Sequence, residues 1–280
     1  MKPSIYKLSV VSVSLILSLT SCMTSKSSAN NYDFIEVKEK FGAWQGVATD
    51  GKNIYVTSDR NEDFKLQNSI TVYNKDGNYV KKIYDAYQGK DAHGRFMSFG
   101  DGTVINHKLY MTVYNFNSGP PEKERESRIV IYSLPELEIQ KEIPIGGYSA
   151  EVVTMHKDSY WVFYHDKNEA LILDKNYKIK NTIQLSANFE KEGGYQGAFW
   201  EGDNLYLNLH GSNSYDDNAY AFGLDHYKLT ESGLKYIERI VPPTYGSGQG
   251  IDKLGSKYLW VDRPANKIVL TDKIVTKPKQ

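Results

Sequence analysis

Gln45-Gly46-Val47-Ala48-Thr49-Asp50-Gly51-Lys52-Asn53-Ile54-Tyr55-Val56 is a short apolar run, a tight polar turn, and a second run with an aromatic at its centre. That pattern is a β-hairpin signature. It returns at Asp101 to Met111, Glu151 to Val162, Gln196 to Leu207 and Gln249 to Trp260. The repeats start at residues 45, 101, 151, 196 and 249, at intervals of 56, 50, 45 and 53. Self-similarity at such a period marks a repeat architecture.

Each hairpin is followed by a second pair of runs, as in Ile70 to Tyr73 and Tyr79 to Ile83 around Lys75-Asp76-Gly77. The same holds for Ile129 to Tyr132 with Glu138 to Ile143, Ala170 to Leu173 with Lys178 to Leu185, and His226 to Leu229 with Leu234 to Ile240. No stretch after residue 30 keeps a 3.6-residue apolar period. Four strands about every 50 residues, five times over, predict an all-β fold: a five-bladed β-propeller of four-stranded antiparallel blades. One such blade cannot bury both faces, but blades stacked around an axis can. A β-sandwich, the competing architecture, does not repeat internally. The last repeat is short in its fourth strand, and Phe34 to Val37 is expected to supply that strand and close the ring.

The chain has 280 residues with 34 Lys+Arg against 34 Asp+Glu, a balance that argues against a nucleic-acid binder. A single Cys excludes a disulfide framework, a Cys-rich zinc site and a CxxC redox pair. That Cys stands in an unusual place. Lys2 and Lys7 precede an apolar run from Leu8 to Leu19, shorter than the roughly 20 residues a spanning helix needs. The run ends in Leu19-Thr20-Ser21-Cys22, which resembles the lipobox of bacterial lipoproteins. The resemblance implies cleavage before Cys22, lipidation of its sulfur and placement in the bacterial cell envelope, facing periplasm or exterior. Removing Lys2 and Lys7 leaves a mature charge of 32 − 34 = −2. The expected organisation is a leader over residues 1–22, a polar tether over 23–32 and the propeller over 33–280.

The long connections fall on one face of such a propeller: Asp59 to Ser69, Tyr84 to Met97, Asn115 to Ser127, Ser186 to Gly194, His210 to Asp225 and Val241 to Gly248. Long loops on a rigid scaffold are where function usually sits. The innermost strands open there with Gln45, Asp101, Glu151, Gln196 and Gln249. Gln45, Glu151 and Gln196 each lie ten residues before the matching aromatics Tyr55, Trp161 and Tyr206. The second strands end at Asp59-Arg60, Tyr114-Asn115, His165, His210 and Asp262-Arg263, and His93 sits in a long loop nearby. Amides and carboxylates at a channel mouth can simply satisfy backbone groups and hold water. A carboxylate at Glu151 where other repeats carry Gln, and Asp, Arg and His at one repeat offset, point instead to a ligand site. The binding candidates are Gln45, Asp59, Arg60, His93, Asp101, Asn115, Gln196, Gln249, Asp262 and Arg263; the catalytic candidates are Glu151, His165 and His210. No HExxH, P-loop, GxSxG or zinc spacing occurs. No metal site or cofactor is expected, although the channel leaves room for a cation such as calcium.

With Asp101 and Glu151 at innermost-strand starts, the chain is similar to arabinanase- and invertase-type glycoside hydrolases, which place catalytic carboxylates there. Gln stands at the other three positions, and that family's own motifs are absent. Gln45-Gly46 before a hairpin also resembles the glutamine cyclotransferase family. The expected function is a lipid-anchored, monomeric propeller binding a polar small molecule, glycan or envelope protein through its long-loop face. The alternatives are an envelope enzyme on that face, hydrolysing a glycoside or acting on a peptide end, and an interaction protein using its blade edges.

Overall fold

Short alternating runs broken by Gly, Asn and Asp build twenty strands in the computed structural model, which describes residues 32–38, 42–60, 66–186, 193–211 and 220–274. Cys22, the leader and all but the last residue of the tether lie outside the described residues. So do parts of three predicted long connections, Asp59 to Ser69, Ser186 to Gly194 and His210 to Asp225. Among the described residues, helix is confined to two three-residue 3-10 turns, Phe116–Ser118 and Glu122–Glu124.

The first strand is β1 (Asp33–Glu36). Blade 1 is β2 (Val47–Thr49), β3 (Asn53–Arg60), β4 (Leu66–Asn74) and β5 (Tyr79–Tyr84). Blade 2 is β6 (Ser98–Ile105), β7 (Lys108–Tyr114), β8 (Ser127–Ser133) and β9 (Ile139–Gly146). Blade 3 is β10 (Ala150–His156), β11 (Ser159–Tyr164), β12 (Glu169–Leu173) and β13 (Ile179–Gln184). Blade 4 is β14 (Gly193–Glu201), β15 (Asn204–Gly211), β16 (Tyr220–Thr230) and β17 (Gly233–Ile240). Blade 5 is β18 (Ile251–Leu254), β19 (Lys257–Asp262) and β20 (Lys267–Thr271), with β1 as its outer strand. The predicted closure holds: β1 pairs antiparallel with β20, Phe34 opposite Val269 and Ile35 opposite Ile268. Asn266 reinforces it, donating from Nδ2 to the Val37 carbonyl at 2.9 Å and accepting from the Ala43 amide at 2.9 Å.

The apolar face of every blade is buried against the next, so five hydrophobic clusters fill five interfaces. Tyr55, Val72, Phe99 and Met111 join blades 1 and 2, and Ile129, Ile131, Val153 and Val162 join blades 2 and 3. Phe163 and Leu207 join blades 3 and 4, Tyr206 and Trp260 join blades 4 and 5, and Val56 and Val261 join blades 5 and 1. Burying one such side chain contributes roughly 1.5–3 kcal/mol. The inner strands approach so closely that a Cβ on Gly250 would meet the Val47 nitrogen at 2.5 Å and the Gly46 Cα at 2.6 Å. Gly250 therefore follows Gln249 for steric reasons, and its amide uses the proximity to donate to the Gln45 carbonyl at 2.8 Å.

Candidate functional site at the channel mouth

Strand register makes the five blades comparable. The centre of each second strand, at Tyr55, Tyr110, Trp161, Tyr206 and Leu259, faces Ala48, Thr103, Thr154, Phe199 and Asp252 of the inner strand. Three residues before those inner partners stand Gln45, Gly100, Glu151, Gln196 and Gln249. Four residues beyond the second-strand centres stand Asp59, Tyr114, His165, His210 and Arg263. These two sets of five face one another at the mouth. At the inner set the ladder is bulged, with register breaks around Glu151, around Gln196, and between Phe99 and Gly102. In blade 1 Thr57 likewise serves two residues, accepting from the Gln45 amide and donating to the Gly46 carbonyl, both at 3.0 Å. A bulge frees one residue from pairing and re-aims its side chain.

The released side chains bond to each other across blades. Gln45 Nε2 donates to Gln196 Oε1 at 3.0 Å, to the Tyr114 hydroxyl at 3.1 Å and to Glu151 Oε2 at 3.4 Å. The Tyr114 hydroxyl donates to Glu151. Arg263 lies over the Trp44 ring with its guanidinium carbon 4.6 Å from the centroid, and its Nε donates to the Trp44 carbonyl at 2.7 Å. Its Nη2 donates to both Gln45 Oε1 and Gln249 Oε1, the latter at 2.7 Å. Gln249 Nε2 meets His210 Nδ1 at 2.7 Å, and Gln196 Nε2 meets His165 Nδ1 at 3.3 Å. Buried Asp59 accepts from Asn117 Nδ2 at 2.7 Å.

Burial dominates the electrostatics. It pushes the Glu151 carboxyl well above the usual carboxylate range; Asp59 pushes the same way, while Tyr114, Arg263 and Gln45 oppose it. The same desolvation pushes His165 down to about 4, with Arg263 and Arg125 adding to it and Asp166 opposing. His210 is held well below the ordinary imidazole value by burial, then by Arg263 and His165. At neutral pH the mouth therefore presents two neutral imidazoles beside a Glu151 carboxyl that burial biases towards holding its proton. Among the described residues, no group of three or more His, Cys, Asp or Glu side chains converges as a metal site would require.

The remaining predicted site residues lie elsewhere. Asp101 is one place further along the strand than the inner ring, whose blade 2 member is Gly100. Its buried carboxylate accepts from the Val47 amide at 2.9 Å and the Ile251 amide at 3.4 Å, tying blade 2 to blades 1 and 5. Asp262 precedes the ring residue by one and so turns away, accepting from Thr244 Oγ1 at 2.6 Å and the Ala265 amide at 3.1 Å. Asn115 follows Tyr114 and bonds into the loops, donating to Asp91 Oδ2 at 2.6 Å and to the Glu124 carbonyl at 2.9 Å. His93 joins that cluster with its side chain 53% exposed and Nε2 3.6 Å from Glu124. Arg60 ends β3, and its side chain lies outside the described residues. Of the pair Tyr114-Asn115 at that second-strand end, sequence reasoning chose Asn115 as the candidate; counting four residues on from Tyr110 selects Tyr114 instead.

No family model matches the sequence, and no curated protein matches it. Solved structures do match in fold. The GH43 BlXynB protein of Bacillus licheniformis is similar at a TM-score of 0.56 and 14% identity, over 82% of this chain. The present chain spans about half of that protein, 48% of its length. The native Bacillus subtilis arabinanase has a TM-score of 0.53 and 13% identity, over 85% of this chain and 96% of the other. Myxococcus xanthus glutaminyl cyclase has a TM-score of 0.55 and 7% identity, over 85% of this chain and 94% of the other. At such identities the likeness is one of fold: this chain is a five-bladed β-propeller of the architecture those proteins use.

Proposed function

We propose that the protein is a lipid-anchored propeller of the bacterial cell envelope whose channel mouth binds a polar ligand, a glycan or a segment of an envelope protein. The anchor is supported by Lys2, Lys7, the apolar run to Leu19 and the placement of the only Cys at position 22. The binding reading is carried by one observation: at equivalent register, four inner-ring amide and carboxyl side chains meet five second-ring side chains of four chemical kinds, with bulges aiming the inner ones inward. A ring serving structure alone needs no such diversity of Asp, Tyr, His and Arg at a single offset.

Calorimetric titration of the purified chain with neutral and acidic oligosaccharides and with short peptides tests this. Saturable binding, weakened about tenfold by Glu151→Gln, is expected from loss of a buried hydrogen-bonding carboxyl. If replacing Glu151, His165 and His210 together leaves every interaction untouched, the mouth is not the site. A second reading, an enzyme, is favoured by Glu151, whose carboxyl is pushed above the usual carboxylate range by burial and, further, by Asp59 within electrostatic reach. One carboxyl that holds its proton beside a second carboxyl is the arrangement that general acid–base hydrolysis of a glycoside uses. Turnover of a bound oligosaccharide, abolished by Glu151→Gln, identifies this reading; binding without turnover identifies the first.

A further inference from the structure

Each mouth histidine has a single tautomer that its neighbours permit. A guanidinium only donates, so the Arg263 contacts decide which end of two amides is oxygen: Gln45 Oε1 and Gln249 Oε1 both accept from Nη2. With its oxygen so engaged, Gln45 offers Nε2 to Gln196 Oε1 at 3.0 Å. Gln196 then has only its Nε2 for His165 Nδ1, at 3.3 Å. On the other branch Gln249 has only its Nε2 for His210 Nδ1, at 2.7 Å. Nδ1 is the acceptor in both rings, and a neutral imidazole accepting at Nδ1 carries its hydrogen on Nε2. The two rings stay neutral at physiological pH, as burial and the Arg263 charge dictate. Among the described residues neither Nε2 has a hydrogen-bond partner, and neither belongs to the side-chain atoms sealed from solvent without one.

We propose that these two Nε2–H groups, on adjacent blades at one register with the Arg263 charge behind them, receive a carboxylate of the ligand. The proposal rests on the mouth being a ligand site and names the chemistry of what it takes. Two neutral donors beside one guanidinium suit a planar, singly charged, two-oxygen acceptor. A phosphate dianion suits the mouth less, because the Asp59 carboxyl acts on the same ring of groups and disfavours dense negative charge there. A uronic acid unit of a glycan and the free C-terminus of a peptide both carry the required group.

The test uses the full chain with nitrogen-15 in its histidines. Both mouth imidazoles are expected as Nε2–H forms that do not titrate between about pH 6 and 8. A glucuronate-containing disaccharide and an acetylated dipeptide with a free C-terminus are the probes, each beside its neutral counterpart, the methyl ester and the amide. At least one acid is expected to shift both Nε2–H signals and to bind about tenfold or more tightly than its neutral form; which acid does so names the source. His210→Asn keeps an acceptor for Gln249 but removes the far donor, so the ratio of acid to neutral affinity is expected to fall towards one; a ratio that survives the substitution overturns the proposal. An Nδ1–H tautomer at either ring overturns the proposal. If a neutral sugar binds in a Glu151-dependent way and the acids gain nothing, the carboxylate inference falls and the binding site stands. If no probe moves either imidazole, both fall.

Discussion

Asp91 and Glu151 are both buried carboxyls on the long-loop side of the propeller, and their surroundings treat charge in opposite ways. For Asp91, burial opposes ionisation, but Asn115 Nδ2 at 2.6 Å, Arg95 Nε at 2.6 Å and the amides of Arg95 and His93 outweigh it and hold the carboxyl well below the usual range. Glu151 meets a tyrosine hydroxyl and a glutamine amide and feels a second carboxyl, so burial wins and its pKa is raised. A carboxylate surrounded by fixed donors organises loops. Under the proposed binding function, one left short of donors in a channel mouth keeps its hydrogen-bonding capacity for the ligand.

The largest effect expected from this contrast is in pH-dependent stability. A carboxyl raised in the folded state stabilises fully below its unfolded pKa, about 4, and that contribution is lost as pH rises through the folded value. Glu151 and Asp101 are raised in this way, and Asp252 is pushed up to about 7 by burial, against the Lys253 and Thr49 amides that it accepts from. Asp252 alone then costs at most about 4 kcal/mol between pH 4 and 7. Asp91 has the opposite sign: its stabilisation is present above about pH 4 and is lost on acidification. Melting temperature is therefore expected to peak in mildly acid solution and to fall towards pH 8, with a shallower alkaline slope in Asp252→Asn. A melting temperature that climbs steadily to pH 8 removes the raised-carboxyl half of the comparison. Next in size is Asp91→Ala, which strands the buried Asn115 amide and several loop amides and is expected to cost about 2–3 kcal/mol in urea unfolding. Glu151→Gln, by contrast, is expected to leave stability unchanged or higher; equal losses in the two variants mean that both carboxyls serve structure.

The fold was legible because it is written in apolar alternation and hairpin turns, which recur independently of chemistry. Phe34 to Val37 could be assigned to the ring closure since blade 5 lacked a partner for Ile268 and Val269. The site was legible only to within one residue, and in a strand one residue exchanges faces. Asp262 and Arg263 read as a pair, yet only Arg263 reaches the amides of the inner ring. Asp101 took the place of Gly100 because a glycine offers no side chain to notice, and the blade 2 bulge spans two residues rather than one. Tyr114 was hidden among 22 tyrosines, most of them explained by strand preference. The Asp91 cluster was only half visible, since Arg95 and His93 are near neighbours but its donor Asn115 lies 24 residues away in sequence.

Smaller effects refine the boundary between the two regions. Arg263→Lys replaces a planar fork by a point charge that cannot hold Gln45 and Gln249 together. A loss of about 1 kcal/mol is expected in urea unfolding, with the two imidazoles no longer confined to one tautomer by nitrogen-15 spectra. An unchanged spectrum means that the glutamines are oriented by the strands and not by the arginine. The smallest effect belongs to His93→Ala. The His93 side chain is 53% exposed and approaches Glu124 at 3.6 Å, while its contribution to the Asp91 cluster is a backbone amide at 2.9 Å that alanine retains. Stability is expected to change by less than about 0.5 kcal/mol, and ligand affinity at the mouth not at all. A clear loss of affinity in calorimetry merges the loop cluster with the mouth, because a side chain that contributes so little to folding can matter to a ligand only by touching it.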